Sequence, residues 1–304
     1  MNDKRKPVAL ALVLMMALAT GAFAADKRSY AAQIKQWRAE RDAELKADDG
    51  WLTLAGLFWL KEGDNRIGSD ATADIILPEG AAPARLGVIE FHHGRATLRV
   101  SGEAQVMLNG KPVTTVELQS DEHQKPDVLR LGALSFHVIK RGARYGVRVK
   151  DLNSPARREF TGRRWYPANP RYRVTADFVA YDQPHEINII NKLGDQIKMT
   201  SPGYVVFKLK GNAYHLDALD EEGKLFFVFA DRTNAKTTYG AGRFLYADAA
   251  KDGKVVMDFN QAVNPPCAFT PFATCPLPPR QNRLKIAIPA GELNYHNAEE
   301  APAR

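Results

Sequence analysis

Between Asp258 and Leu284 the chain carries Pro265, Pro266, Pro271, Pro276, Pro278 and Pro279. Each proline removes a backbone donor and fixes φ, so this stretch can be neither helix interior nor central strand. A loop this long without regular structure is functional or disordered. Phe269 and Phe272 supply apolar anchors, and Asp258, Asn260, Asn282 and Arg283 bracket the stretch, a composition that argues for order. It also holds both cysteines of the chain, Cys267 and Cys275. The segment reads as a stiff loop laid over a core that the rest of the chain must build.

The first 24 residues read as a secretory leader: Lys4, Arg5 and Lys6, then an apolar run over Val8–Phe23, then Ala22-Phe23-Ala24 as a small-x-small cleavage site. That run is shorter than the roughly 20 residues a bilayer span needs, and no later run is long enough to span. A periplasmic or secreted protein starting near Ala25 is expected. Setting Asp3 and the three leader bases aside lowers the formal charge from +7 to +5, a mild excess compatible with anionic envelope surfaces. In an oxidising compartment two cysteines are expected to bond to each other. The C-x7-C spacing and the absence of a nearby histidine argue against metal.

Ser29–Lys46 has the period of a helix, with Ser29 as its cap and Tyr30, Ile34, Trp37 and Leu45 near one face. From residue 51 to 142 short strands and turns follow one another, with hairpin signals at His93-Gly94 and Asn109-Gly110. The run Arg66-Ile67-Gly68, then Asp74-Ile75-Ile76-Leu77, then Asn109-Gly110-Lys111-Pro112-Val113, then Val128-Leu129-Arg130-Leu131-Gly132 resembles the forkhead-associated (FHA) family. The resemblance implies a β-sandwich over Gly63–Ile139. That family's phosphothreonine-binding arginine falls on Ser69 here, and its binding serine and histidine fall near Pro83 and Leu86. Only Arg85 and Asn109 match, so a scaffold without phosphothreonine binding is expected.

Residues 143–171 form a basic connector in which arginines alternate with Trp165 and Tyr166. Most read as surface arginines paired to acids, with Arg163 and Arg164 kept as anion-binding candidates. Nucleic acid is not an expected partner of an exported chain. From residue 172 to 304, nine short apolar runs separated by turn signals at Pro184, Gly194, Pro202-Gly203, Glu222-Gly223 and Asp252-Gly253 predict an antiparallel meander. Closure into a barrel or curved sandwich would manage its edges. The expected fold class is mostly β: leader 1–24, helical arm 25–56, FHA-like sandwich 57–142, connector 143–171 and antiparallel β domain 172–304.

The segments GYVVFKL, LFFVFADRT, TYGAGRFLYAD, VVMDFNQAVNPPCAF and TCPLPPRQNRL, in that order, resemble the family known as domain of unknown function 1684. The likeness runs from the early helix to Gly291. It implies the domain layout and no activity.

Chemistry has to come from the residues. Asp231, Tyr239, Arg243, Asp258, Asn260, Asn264, Asn282 and Arg283 sit at strand ends or on the proline-rich loop. In a simple meander, Asp231, Arg243, Asp258, Asn260 and Arg283 share one rim. Asp231 and Asp258 are then candidate acid and base, with Tyr239 as a further catalytic candidate. Arg243 and Arg283 would clamp an anion that Asn260, Asn264 and Asn282 orient. The structural alternative makes the same groups buried ion pairs and turn bonds. No nucleophile elbow, zinc-protease helix or P-loop is present, so no cofactor and no metal is expected. Three readings result: a binding module for an anionic envelope ligand (peptide or glycan), a hydrolase or lyase using Asp231 and Asp258, and an interaction protein without a site.

Overall fold

The computed structural model describes residues 29–123 and 125–295; the expected leader lies outside them. Helix α1 spans Tyr30–Lys46, and the Ser29 hydroxyl accepts from Ala32 N at 3.3 Å, the cap read from the sequence. Its buried residues are Ile34 and Leu45.

Eleven strands follow: β1 (Leu54–Trp59), β2 (Gly63–Gly68), β3 (Ile75–Ile76), β4 (Gly87–His92), β5 (Arg95–Val100), β6 (Val106–Leu108), β7 (Lys111–Val113), β8 (Thr115–Leu118), β9 (Leu129–Leu131), β10 (Leu134–Arg141) and β11 (Arg144–Asp151). They form two sheets, ordered β1-β11-β10-β9-β6-β7 and β3-β2-β4-β5-β8. Ile67, Ile89, Leu98, Phe136 and Val149 fill the core between them, as the FHA-like sandwich requires. Both two-residue hairpins form where expected, with positive φ at His93, Gly94, Asn109 and Gly110, the geometry that matches strand twist. The first residues of the basic connector belong to β11.

A third sheet contains β12 (Arg173–Ile190), β13 (Gln196–Leu209), β14 (Asn212–Glu221), β15 (Lys224–Phe229), β16 (Arg243–Ala247) and β17 (Lys254–Asp258), in the order β16-β15-β14-β13-β12-β17. It is a curled half-barrel. Three expectations are corrected. Pro184 does not end a strand: β12 runs through it, with a register shift between Ala180 and His185, where a proline is tolerated. Pro202-Gly203 likewise lies inside β13. The third correction concerns strand order. β17 does not pair with β16 but with β12 on the opposite edge, Arg173 facing Asp258.

At β15 the sheet is buried on both faces, which explains that strand's unbroken apolar run. Leu225, Phe227 and Phe229 point into one core, and Phe226 and Val228 into another. The first core is filled by Leu284, Ile286, Ile288 and Ala290. The first three belong to the LKIAI segment, expected as a strand, which packs instead as irregular chain. The second core is covered by the proline-rich loop through Val263, Cys267, Ala273 and Cys275, with Trp37 of α1 and Trp165 alongside. The loop is ordered by short 3₁₀ turns at Phe259–Gln261, Pro266–Ala268 and Arg280–Asn282. Backbone bonds also pin it to β12 and β16: Leu277 N to Ile190 O and Phe244 N to Val263 O, both 2.9 Å.

Candidate functional site

The residues expected at one rim fall into separate networks. Arg243 pairs with Asp231, and neither side chain is exposed. Arg243 also donates to Ile288 O at 3.1 Å and to Ala290 O, so it ties β16 to the segment filling the half-barrel. Burial lowers its pKa. The other Asp231 oxygen accepts from Thr233 N at 2.6 Å and from the Thr233 hydroxyl. Asp258 accepts from Asn260 N at 3.0 Å and from the Tyr30 hydroxyl at 2.9 Å. Asn260 bonds both backbone groups of Asn169, at 2.8 and 2.9 Å. Asn282 bonds the Asp217 backbone at 2.8 and 3.0 Å. Arg283 is exposed and belongs to none of these networks. The Tyr239 hydroxyl donates to Cys267 O at 2.9 Å and accepts from Lys192 Nζ at 3.2 Å.

The expected disulfide is also corrected: Cys267 and Cys275 are two buried thiols. Cys267 N donates to Cys275 Sγ at 3.2 Å. The hydrogen bond with Cys275, with Tyr239 and Lys192 beside it, lowers the Cys267 thiol to about 7, while the hydrogen bond with Cys267 and then burial push Cys275 up.

Asn264 is different. It lines a cavity of about 500 Å³ bounded by α1, the β10 end of the sandwich, the curled sheet and the proline-rich loop. Ile197, Met199, Phe226, Phe244 and Phe269 line one part of it, and Arg41, Glu44, Asp49 and Glu221 make the rest of the wall charged. Arg163 lines the same cavity with its side chain 4% exposed. Its Nε donates to Asp42 at 2.7 Å and its Nη1 to Glu292 at 3.4 Å. Glu292 accepts from Asn264 N and from Asn264 Nδ2, both at 2.9 Å. Burial raises the Glu292 carboxyl to about 7, although Arg163 opposes the shift. After all these bonds Arg163 Nη2 and Asn264 Oδ1 are buried without a partner.

A second basic group borders the cavity. Arg141 lines it, pairs with Asp121 at 2.9 Å and donates to Thr274 Oγ1 at 2.9 Å. Arg148 lies behind Thr274, reaching its hydroxyl at 3.5 Å, with its Nε unpartnered. Burial, with Arg141 beside it, lowers Arg148 to about 10. Sequence reasoning had Arg163 and Asn264 among its candidates. It missed Asp42, Arg141, Arg148 and Glu292, because it placed α1's polar residues outside and treated most arginines as solvated. Among the described residues no group of three potential ligands could hold a metal ion, and no helix is long and apolar enough to cross a membrane.

Fold and site define a mostly β protein in which a proline-rich loop and a helix close a pocket over a curled sheet. The model of the family described as a protein of unknown function, DUF1684, matches residues 158–293. The match takes in the second half of the connector, the curled sheet and the loop; it does not reach back to the sandwich or α1. A solved structure of an uncharacterized protein from Haloarcula marismortui is 31% identical over 46% of this chain and 80% of its own, with a TM-score of 0.39. An FHA domain solved in a study of phosphothreonine-dependent interactions is 23% identical over 31% of this chain and 92% of its own, with a TM-score of 0.23. The FhaA FHA domain, solved in complex with an intracellular domain, gives the same identity over 97% of its length, again with a TM-score of 0.23. These two are likenesses of fold alone. No curated protein matches.

Proposed function

We propose that the chain is an exported, periplasmic or secreted, binding module that holds an anionic ligand with an apolar portion in the cavity above the curled sheet. One observation carries this reading: the buried Arg163 and the half-buried Arg141 both line a cavity that Ile197, Met199, Phe226 and Phe244 line as well. Small-molecule sites combine apolar walls with a few placed polar groups, and a guanidinium suits a carboxylate or phosphate. The aliphatic and aromatic walls favour a peptide-like or acyl ligand over a glycan. The leader pattern over residues 1–24 supports export. The hydrolase or lyase reading is weaker, since Asp231 and Asp258 are each engaged by groups of the chain itself.

Calorimetric titration of the purified chain with decanoate, and with decanol as the neutral control, tests the reading. Decanoate is expected to bind at one site, decanol at least tenfold more weakly, and Arg163→Met to abolish the difference. Equal binding of acid and alcohol, or no binding of either, overturns it.

A further inference from the structure

The proline-rich loop brings two sulfurs together. Cys267 and Cys275 are both buried, and no disulfide joins them. Their side chains share a hydrogen bond, and Cys267 N donates to Cys275 Sγ at 3.2 Å. The loop fixes both positions. The 3₁₀ turn Pro266–Ala268 carries Cys267, and Pro276, next to Cys275, bridges to Asn191. Lys192 spans the pair: its backbone N donates to Cys275 O at 2.9 Å and its Nζ to Cys267 O at 3.4 Å. Ile189, Val228, Phe244, Val263 and Ala273 pack in the same cluster as the sulfurs, and none of their side chains competes as a ligand. Cys275 also lines the cavity, which gives an ion a route to the pair.

We propose that Cys267 and Cys275 form a binding site for a soft monovalent cation, Cu(I), held between their two sulfurs. Thiolates select Cu(I) among the first-row metals that also bind sulfur. Zinc takes four ligands, or three and a water, and among the described residues no third His, Cys, Asp or Glu joins the pair. Cu(I) accepts two sulfurs in line and needs no more. Binding breaks both S–H bonds and forms two S–Cu bonds; the two protons leave to solvent and no electron is transferred. The product carries one negative charge. It is offset by the Lys192 ammonium beside Cys267 and by the Arg148 guanidinium, whose charge acts on Cys275. The sulfur pair takes the ion whatever organic ligand the cavity binds.

The test titrates the reduced full chain, without oxygen, against the coloured complex of Cu(I) with bicinchoninate. The chain is expected to bleach the complex by taking one Cu(I), and to leave Zn(II) with a competing zinc indicator. Cys267→Ser and Cys275→Ser are each expected to lose the site, and Lys192→Met to weaken it about tenfold, the usual cost of removing a group that supports the ligands. X-ray absorption at the copper edge is expected to show two sulfur ligands. Should the serine variants fail to fold, that spectrum on the unsubstituted protein still decides. No transfer of Cu(I), transfer that survives either serine substitution, a copper ligand other than sulfur, or uptake of Zn(II) as firm as that of Cu(I) overturns the proposal.

Discussion

Glu292 is buried between Arg163 and Asn264, with its carboxyl raised to about 7 by burial. A raised acid binds its proton more readily folded than unfolded, so stability is greatest below the unfolded value of 4.5 and falls as pH rises to about 7. The loss over that window is about 3 kcal/mol. Chemical denaturation at several pH values should show this decline, and Glu292→Gln should flatten it; an unchanged slope in the variant would sink the assignment. The Asp231–Arg243 pair sits at the other extreme of burial, with both side chains fully enclosed. Asp231→Asn leaves a guanidinium uncompensated and should cost about 3–5 kcal/mol. Replacing both partners, as Asp231→Leu with Arg243→Met, should cost clearly less than Asp231→Asn alone, because the stranded charge is gone. A double variant as unstable as the single one would contradict the ion-pair account.

At the scale of elements, the proline-rich loop behaves as its composition requires, and its anchors make specific demands. Gly291, at φ +83°, follows the segment that fills the half-barrel, and a Cβ there would lie 2.5 Å from Ala262 O and 2.7 Å from Phe259 O. Backbone oxygens cannot move aside, so Gly291→Ala should cost about 3 kcal/mol, read as a lowered denaturation midpoint. The cysteines of the loop should titrate as two thiols on the unfolded, unreduced protein. In the folded protein alkylation should mark Cys267 ahead of Cys275, with a rate rising through about pH 7; peptide mapping that finds one thiol or none contradicts this arrangement. The helix, the hairpin turns, the sandwich and the loop were all legible, since each depends on local chemistry: a capping serine, an Asn-Gly pair, a proline count. The position of β17 was not. Adjacent strands in sequence suggested a meander, but the curl of a sheet with two buried faces is decided by packing between distant segments. That one placement misdirected the expected rim. It assumed Asp258 returns beside Arg243 through a β16–β17 hairpin, whereas Asp258 reaches Tyr30 of the helix instead.

For the whole molecule, the cavity lies where the sandwich meets the curled sheet, so its integrity depends on that joint. The joint is polar. Arg144 makes a bidentate pair with Asp195 at 2.7 Å and lies over the Trp59 ring at 4.0 Å. Arg141 reaches across to Thr274 at 2.9 Å. From the other side, Arg163 ties α1 to the loop through Asp42 and Glu292. Interfaces of this kind hold less tightly than a shared apolar core, and relative motion is their default once anchors are lost. The two β units have separate cores, and beside these arginines a small apolar cluster of Leu45, Leu52, Phe160, Ala268 and Phe269 also bridges the helix, the start of the sandwich and the loop. Scanning calorimetry on the unsubstituted chain should therefore give a single transition, while Arg141→Ala with Arg144→Ala should divide it into two. The same double variant should lose affinity for decanoate, because Arg141 lines the cavity and its wall is no longer held. Ligand at one hundred times its dissociation constant stabilises the closed arrangement by about 2.7 kcal/mol, which should draw the two transitions of the variant together. A double variant that still melts in one step, at an unchanged temperature and with unchanged affinity, would show that the arginines do not hold the joint.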